Sequence, residues 1–370
     1  MNYYIIAGES SGDLHGANLI NALKKNDPEA TFSIVGGDQM QLASGQKALL
    51  HTSEMSFMGF VEVLRNIRSI LRNLKTVKAD LLTHRPDALI LIDFPGFNLK
   101  IASLAKQHGI KVFYYISPKI WAWNTGRVKK IKRIVDHMFC ILPFEVDFYA
   151  QWDMQVDYVG NPLLDAIANY RFKPDFKESN HLSEKPLIAL LPGSRKMEIS
   201  KLLPEMIKVA RLFPGHQFVI AGAPNFQESY YRQFMEGFDM SVVFDQTYDL
   251  LHHAKAAIVA SGTATLETAL LHIPQVVIYK ANAISIAIAR RVIKVDYISL
   301  VNLIMGREVV KELIQKEANY RTIADELDLI LNDKGYNTRM LADYAQLQEL
   351  MGKPGASKKT AQLIRQYMNA

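Results

Sequence analysis

The sequence has little cysteine, no long apolar run and no recognisable signal peptide. It holds one cysteine in 370 residues, Cys140, which excludes internal disulfides and cysteine-based zinc sites and is typical of a reducing compartment. No apolar run is long enough to span a membrane, and the first residues lack the basic start and cleavage site of a signal peptide. These gaps predict a cytoplasmic protein.

Several catalytic signatures are missing as well. The sequence has no H-E-x-x-H, no Asp-x-Asp, no complete dinucleotide fingerprint and no phosphate-loop lysine. We therefore expect no resident metal ion and no bound cofactor.

Size and charge narrow the remaining classes. A chain of 370 residues exceeds the usual size of one core, so two domains are expected. Its net charge of +6 favours anionic partners such as a nucleotide or a phospholipid surface. A nucleic-acid partner is not expected, because the basic run Arg127–Arg133 occupies one short helix instead of a continuous surface. Monomer and homodimer both stay open.

Short apolar runs alternate with longer amphipathic ones, a pattern typical of a doubly wound α/β fold. The polar, poorly periodic stretch Asp165–Lys185 is interpreted as a linker. This gives Rossmann-like domains over 1–164 and 165–340 that face a cleft, with the last helical stretch, 340–370, packing back on the first. The predicted strands are Tyr3–Ala7, Thr31–Val35, Ala88–Ile92, Lys111–Ile116, Met138–Ile141, Leu187–Leu191, Gln217–Ala221, Ser241–Phe244, Ala256–Ala260 and Gln275–Ile278.

The stretch Ala260–Leu271 has the clearest functional pattern. It runs from a short buried strand through the small turn Ser261-Gly262-Thr263 into a run of good helix formers. Such a turn places backbone N–H groups and the positive end of the helix dipole before an anion. Glu267 lies one turn later, where its carboxylate can accept hydrogen bonds from the ribose of a nucleotide. The alternative is an ordinary capped helix with Glu267 on a solvated face.

The loop Leu190–Arg195 closes the first strand of the second domain. Gly193 and Ser194 offer backbone and hydroxyl donors, and the guanidinium of Arg195 can bind a phosphate through two nitrogens. The alternative is a loop arginine in a surface ion pair.

Two features of the first domain point to a second site. The loop Gly8-Glu9-Ser10-Ser11-Gly12-Asp13 follows the first strand, and its small residues let a ligand approach the backbone, although a plain tight turn looks the same. The strand Ala88–Ile92 ends in a carboxylate, Asp93. Because ligands of open α/β sheets bind beyond the carboxyl ends of strands, Asp93 is a candidate general base, and capping the next helix explains it equally well. Glu9 and Asp13 are the next candidates for the base.

The segment Met58–Lys78 is apolar on one helical face and basic on the other, which suits an anionic membrane surface. Burial of the same apolar face inside a domain is the alternative. The candidate membrane-facing residues are Phe60, Val61, Leu64, Ile67, Ile70 and Leu71.

Taken in order, these motifs closely resemble those of the lipid-A-disaccharide synthase family. Together they run from the first strand to about Leu313. The matching segments are Gly8–Asp13, Met58–Leu64, Ile92–Asn98, Ser117–Trp123, Leu142–Glu145, Leu191–Arg195, Ala260–Glu267 and Asp296–Leu303.

The resemblance implies an inverting glycosyltransferase of the GT-B type that needs no metal ion. Its donor would be UDP-2,3-diacylglucosamine, its acceptor 2,3-diacylglucosamine 1-phosphate, and its product the β-1,6-linked disaccharide of lipid A biosynthesis. The resemblance also implies that Asp93 is the general base. It further implies that Arg195, Glu267 and Asn302 contact the donor. Gly96 departs from the family, in which many members carry aspartate there, and this leaves Asp93 as the main candidate.

Both implied substrates carry acyl chains, which gives the basic amphipathic segment a purpose and implies a peripheral protein on the cytoplasmic face of the inner membrane. Two other functions stay open. One is a different GT-B enzyme, such as a UDP-sugar epimerase. The other is a non-catalytic membrane-surface protein, which would explain the basic charge but not Asp93, Arg195 and Glu267 together.

Overall fold

The computed structural model describes residues 1–55, 66–235, 237–238, 240–281 and 295–369. It divides the chain into two compact units: unit 1, Met1–Asp165 with Lys353–Ala370, and unit 2, Ala166–Gly352. Within the described ranges, no helix is both long enough and apolar enough to cross a membrane.

Unit 1 is built on a six-stranded parallel sheet with the strand order β2-β1-β3-β4-β5-β6. Alternate residues of the strands enter different cores: Tyr4 and Ile6 pack into one, Tyr3 and Ile5 into the other. Both faces of the sheet are therefore covered, as a parallel sheet requires. The strands are β1 Asn2–Ala7, β2 Thr31–Val35, β3 Ala88–Ile92, β4 Lys111–Tyr115, β5 His137–Cys140 and β6 Asp157–Tyr158.

The helices of unit 1 connect successive strands, and short 3₁₀ turns lie at Thr52–Glu54, Ile120–Ala122 and Thr125–Arg127. The helices are α1 Ser10–Asn26, α2 Asp38–Ser44, α3 Ile67–His84, α4 Pro95–Gln107, α5 Val128–Ile134, α6 Phe144–Ala150 and α7 Pro162–Asn169, which contains the boundary between the units.

Unit 2 repeats the design, with a six-stranded parallel sheet in the order β12-β11-β10-β7-β8-β9. Its strands are β7 Leu187–Leu191, β8 Gln217–Gly222, β9 Ser241–Phe244, β10 Ala254–Ala260, β11 Gln275–Tyr279 and β12 Glu312–Ile314. Its helices are α8 Phe176–Ser179, α9 Lys196–Ala210, α10 Glu228–Arg232, α11 Thr247–His253, α12 Thr263–Leu270, α13 Leu300–Met305, α14 Tyr320–Asn332 and α15 Lys334–Met351.

The last helix, α16 Ala356–Asn369, belongs to unit 1 and packs on α1. Ala361 and Ile364 are fully buried there in the same core as Leu19 and Ile20. The preceding helix α15 stays with unit 2, where the buried Tyr344 accepts a hydrogen bond from the side chain of Gln275 (3.3 Å). The returning segment therefore begins at residue 353 and not at 340.

The stretch interpreted as a linker is packed on unit 2. Asp249 is fully buried and accepts hydrogen bonds from the hydroxyl of Tyr170 (2.6 Å) and from the N–H of Lys173 (2.7 Å). Phe176 is also fully buried. Polar composition alone suggested a free connection, but these side chains anchor the segment to its own unit.

Candidate active site

Each unit has a topological switch point, the place in an open α/β sheet where ligands bind. In unit 1 it lies between β1 and β3, whose carboxyl ends lead into Gly8–Asp13 and into Asp93. In unit 2 it lies between β7 and β10, whose ends lead into residues 192–195 and 261–263. The loops singled out in the sequence thus lie at the two switch points.

Asp93 occupies a turn that three hydrogen bonds hold in place. Asp93 and Phe94 both have left-handed backbones, with φ of 42° and 49°, a conformation that costs about 1–3 kcal/mol per residue. The Asp93 N–H donates to the Tyr115 carbonyl (3.1 Å), and the Asp93 carbonyl accepts from the Tyr114 hydroxyl (2.5 Å) and the Asn98 amide (2.8 Å). The N-cap of α4 is Phe94, so Asp93 is not its capping residue.

The surroundings of Asp93 tune its carboxyl group towards neutral pH. Burial raises its pKa from 3.8 to about 6, and the ammonium of the exposed Lys119 opposes that rise. Glu9 raises the pKa further, and the N–H of Phe94 lowers it. A carboxylate with a pKa of about 6 is ionised at pH 7.5 and basic enough to accept a proton, which is what a general base requires.

The loop after β1 divides into exposed and structural residues. Glu9 is half-buried at the N-cap of α1, and Ser10 and Ser11 are exposed. Gly12 is buried, and a Cβ there would lie 3.3 Å from the Cβ of Ala7, so the helix start packs tightly on β1.

Asp13 is one of the loop carboxylates proposed from the sequence as an alternative base, but in the structure it has a structural role. It is 6% exposed. Its carboxylate accepts hydrogen bonds from the N–H groups of Gly37 (2.7 Å), Gln39 (3.0 Å) and Met40 (3.0 Å). Asp13 therefore anchors the start of α2, and Glu9 is the acid of this loop that acts on Asp93.

The loop after β4 carries two tryptophans with opposite environments. Trp121 is 8% exposed, and its indole N–H donates to Glu145 Oε1 (3.1 Å). The other oxygen of Glu145 accepts from the N–H of Leu142 (3.0 Å), so this buried carboxylate ties the loop to the end of β5. Trp123 is 44% exposed, and the guanidinium carbon of Arg127 lies 5.0 Å from its ring centroid. Trp121 is thus a core residue, whereas Trp123 is open to a ligand.

The candidate membrane-facing residues fall into two groups. Phe60, Val61 and Leu64 lie outside the described residues. Helix α3 buries Leu74, Val77 and Leu81, while Ile67 and Leu71 are 42% and 52% exposed and Ile70 is half-buried. The exposed basic residues of the same stretch are Arg68, Arg72 and Lys75. The first half of α3 therefore keeps apolar and basic side chains together on the surface of unit 1.

In unit 2, the turn after β7 requires a glycine. Gly193 has a φ of 100°, and a Cβ there would lie 2.5 Å from Glu198 Oε2. Ser194 is exposed, and Arg195 occupies the N-cap of α9 with 60% of its side chain exposed. Its Nη1 lies 3.2 Å from Glu198 Oε1. Exposed pairs of this kind contribute about 0–1 kcal/mol, so the guanidinium can turn to a phosphate at little cost.

The turn after β10 is anchored at one end and open at the other. The N–H of Ser261 donates to the Ile278 carbonyl (3.0 Å) and its hydroxyl to the Ile298 carbonyl (3.0 Å). The hydroxyl of Ser261 is therefore engaged in fixing the neighbouring loop. Gly262 and Thr263 are exposed at the N-terminus of α12, where backbone N–H groups can meet an anion.

Asn302, which the family resemblance assigns to the donor, is a structural residue in this fold. It is fully buried. Its amide oxygen accepts from the N–H groups of Val309 (2.8 Å) and Val310 (3.0 Å). Its amide nitrogen donates to the Val310 carbonyl (2.9 Å) and to Glu312 Oε1 (2.9 Å). A carboxamide has two donors and two acceptor lone pairs, so these bonds satisfy all of them.

Glu267 is half-buried on α12 and accepts a hydrogen bond from the hydroxyl of Tyr248 (2.8 Å). Burial raises the pKa of Glu267, and this hydrogen bond opposes the rise. Tyr248, Lys119 and Glu312 are not among the residues selected from the sequence. The rule that ligands bind beyond strand ends would have selected Tyr248, because it follows the end of β9 by four residues.

Comparisons with known proteins agree over nearly the whole chain. The family model described as Lipid-A-disaccharide synthetase matches residues 3–366. The lipid-A-disaccharide synthase of Trichlorobacter lovleyi is 42% identical over 367 residues, which are 97% of this chain and 96% of that protein. The enzyme of the same name from Geobacter sulfurreducens is 39% identical over 371 residues, with 98% and 96% covered.

Among solved structures, the UDP-GlcNAc 2-epimerase of Neisseria meningitidis, bound to UDP-GlcNAc, matches with a TM-score of 0.68. The match covers 99% of this chain and 100% of the epimerase at 13% identity. At this identity the likeness shows the fold alone, which is of the GT-B type. The predicted architecture of two Rossmann-like domains is therefore confirmed.

Proposed function

The chain belongs to the lipid-A-disaccharide synthetase family, and on that premise we propose which sugars it joins and which residues act on them. It is a glycosyltransferase of lipid A synthesis. We propose UDP-2,3-diacylglucosamine as the donor and 2,3-diacylglucosamine 1-phosphate as the acceptor. The products are then UDP and the β-1,6-linked disaccharide 1-phosphate.

The observation that carries this proposal is the placement of Asp93. Its carboxylate lies at the switch point of unit 1 on a strained, triply hydrogen-bonded turn, with a pKa raised to about 6 mainly by burial. In the proposed step this carboxylate takes the proton of the acceptor 6-hydroxyl. The acceptor oxygen forms a bond to C1 of the donor sugar as the bond from C1 to the UDP oxygen breaks, which inverts the configuration at C1. Asp93 then releases its proton to solvent.

Unit 2 supplies groups suited to the departing UDP. The guanidinium of Arg195 and the N–H groups at the start of α12 carry the positive charge that a diphosphate needs as it leaves. The carboxylate of Glu267 accepts from the ribose hydroxyls. With these groups in place we expect turnover without an added divalent metal ion.

Acylated substrates reside in a membrane, so we propose that α3 contacts one. The exposed side chains of Ile67 and Leu71 would enter the interface, and Arg68, Arg72 and Lys75 would attract anionic lipids. This would place the protein on the cytoplasmic face of the inner membrane.

An epimerase of the same fold is not favoured. The Neisseria epimerase is 13% identical in sequence to this chain, whereas the Trichlorobacter synthase is 42% identical over nearly the whole chain.

The deciding experiment incubates the full chain with UDP-2,3-diacylglucosamine, with and without the acceptor phosphate, and identifies products by mass and by the anomeric coupling constant. We expect UDP release only when the acceptor is present, a β-linked disaccharide phosphate, and the same rate in EDTA. Donor that returns epimerised, or UDP released equally without acceptor, would overturn the proposal.

A further inference from the structure

Tyr248 is a polar residue of unit 2 that the proposed reaction leaves without a role. It lies on α11, and its hydroxyl donates to Glu267 Oε1 across a distance of 2.8 Å. Among the described residues, this is the side-chain hydrogen bond that Glu267 accepts. The contact therefore engages one carboxylate oxygen of Glu267, Oε1, and not the other, Oε2.

The ring of Tyr248 has a rigid support of its own. It packs edge-to-face on Tyr170, with ring centroids 5.0 Å apart and planes at 66°. The hydroxyl of Tyr170 donates to Asp249 Oδ2 (2.6 Å), and Asp249 Oδ1 accepts from the Lys173 N–H (2.7 Å). Asp249 is fully buried, so its hydrogen bonds hold Tyr170 in place. The packing of Tyr170 in turn restricts the motion of the Tyr248 ring.

Electrostatics agree with that geometry. Burial is the main cause that raises the pKa of Tyr248, with the Glu267 carboxylate adding to it, so the phenol stays a protonated donor throughout the working pH range. Among the described residues, Tyr248 on α11 is the titratable group that acts on Glu267, and Tyr170 faces the other side of Tyr248. Without the phenol hydroxyl, the pKa of Glu267 would rise further and its carboxylate would be free to rotate.

We propose that Tyr248 is a positioning residue for nucleotide recognition, whose hydroxyl orients Glu267 so that Oε2 receives the ribose hydroxyls of a uridine diphosphate. The inference rests on the proposed role of Glu267 in donor binding. It adds a residue from α11, after β9, to a site otherwise built from the loops after β7 and β10.

The test measures UDP binding by the full chain with calorimetry, from about pH 5.5 to about pH 8.5, a range that covers a raised glutamate pKa. We expect Tyr248→Phe to weaken UDP binding by about 3- to 10-fold at pH 7.5, in the range for the net contribution of one hydrogen bond. Its affinity should also begin to fall at a higher pH than in the wild type. Glu267→Gln gives the baseline, because it retains only the titration of UDP itself. Adding Tyr248→Phe to Glu267→Gln should change little, because the two residues act as one unit.

Tyr170→Phe is the matched control. It loses the hydrogen bond to Asp249 but keeps the ring that packs on Tyr248, and with it the Tyr248–Glu267 contact, so it should melt earlier and retain the wild-type pH profile. Tyr248→Met, which keeps a long apolar side chain, is the second variant should Tyr248→Phe not fold, and it carries the same expectation. Wild-type UDP affinity and pH profile in the folded Tyr248 variants, with Glu267→Gln impaired, would overturn the inference and leave the proposed function intact. If Glu267→Gln also binds UDP normally, the assignment of Glu267 to the donor is what fails.

Discussion

The ring of Phe94 lies directly over Gly8: a Cβ added to Gly8 would be 2.3 Å from Phe94 Cδ1. These residues belong to the two loops that flank the switch point of unit 1, one after β1 and one after β3. Phe94 has a left-handed backbone and directly follows Asp93 in the same turn. A side chain at position 8 would therefore disturb the turn that carries the candidate base.

Gly8→Ala should therefore lower both turnover and stability. The new methyl group must displace the Phe94 ring and with it the Asp93 turn. We expect a fall in kcat of about tenfold or more and a loss of about 1–3 kcal/mol in unfolding free energy, as in other overpacked sites. UDP affinity should not change. Steady-state kinetics and urea melts check this.

Gly96→Ala is the control, because nothing lies within 4 Å of a Cβ at Gly96. It should resemble the wild type in both measurements. Normal turnover in Gly8→Ala would mean that the Phe94 ring does not hold Asp93.

Asn302→Ala should destabilise unit 2. It leaves the N–H groups of Val309 and Val310 and the carboxylate of Glu312 without their buried partner. A loss of about 2–4 kcal/mol in urea unfolding is expected. A variant that keeps wild-type stability and loses UDP affinity would restore the family's donor role for this residue.

Arg195→Ala should weaken UDP binding without lowering stability. The side chain is 60% exposed, so unfolding should be unchanged, while UDP binding weakens by about 1.5–3 kcal/mol, typical of a lost charge-assisted contact. Lys196→Ala, an exposed neighbour, is the charge-matched control and should bind UDP nearly normally. If calorimetry showed equal losses of UDP affinity in both variants, Arg195 would act only through its positive charge and not through a specific contact.

Ile67→Ser with Leu71→Ser should weaken binding to vesicles that contain anionic phospholipid, without lowering the melting temperature. Both side chains are exposed, so their removal costs little in the fold. Leu42→Ser, on α2 and 83% exposed, serves as the control for a general loss of surface hydrophobicity. Early melting of the double variant would show that these residues support the fold, and unchanged vesicle binding would remove α3 from the membrane contact.

The strands were predictable because they are short, mostly apolar runs, and the central ones are buried on both faces. Every predicted strand is present, with ends shifted by at most two residues. The missed strands, Asp157–Tyr158 and Glu312–Ile314, are edge strands too short to show a pattern.

The site was predictable in its loops but less so in its individual residues. Position after a strand marks a loop for ligand binding, as with Asp93, but it does not reveal which side chains the protein uses for itself. Asp13 bonds to the backbone 24–27 residues away, and Asn302 to a turn seven and eight residues on. Polar residues of this kind look the same in a sequence whether they hold a ligand or a loop.

The last prediction concerns Asp93, for which a general base and a purely structural residue give opposite results. A base must be ionised, so kcat/KM of the wild type should fall as the pH drops through about 6, the pKa to which burial raises this carboxyl. Asp93→Asn should lose about 10²–10⁴-fold in kcat with UDP affinity preserved.

The same raised pKa sets the sign of the stability change. In the folded protein the carboxyl holds its proton up to about pH 6, but in the unfolded chain only to 3.8, so the charge on Asp93 destabilises the fold as the pH rises through this window. Asp93→Asn should then be more stable than the wild type at pH 7.5, by about 1–2 kcal/mol after allowance for partial solvation, and the gain should vanish below about pH 4. Urea unfolding at both pH values measures it. If Asp93 were only a structural residue, the variant would instead lose stability and keep its turnover, and that pair of results would move the base to Glu9.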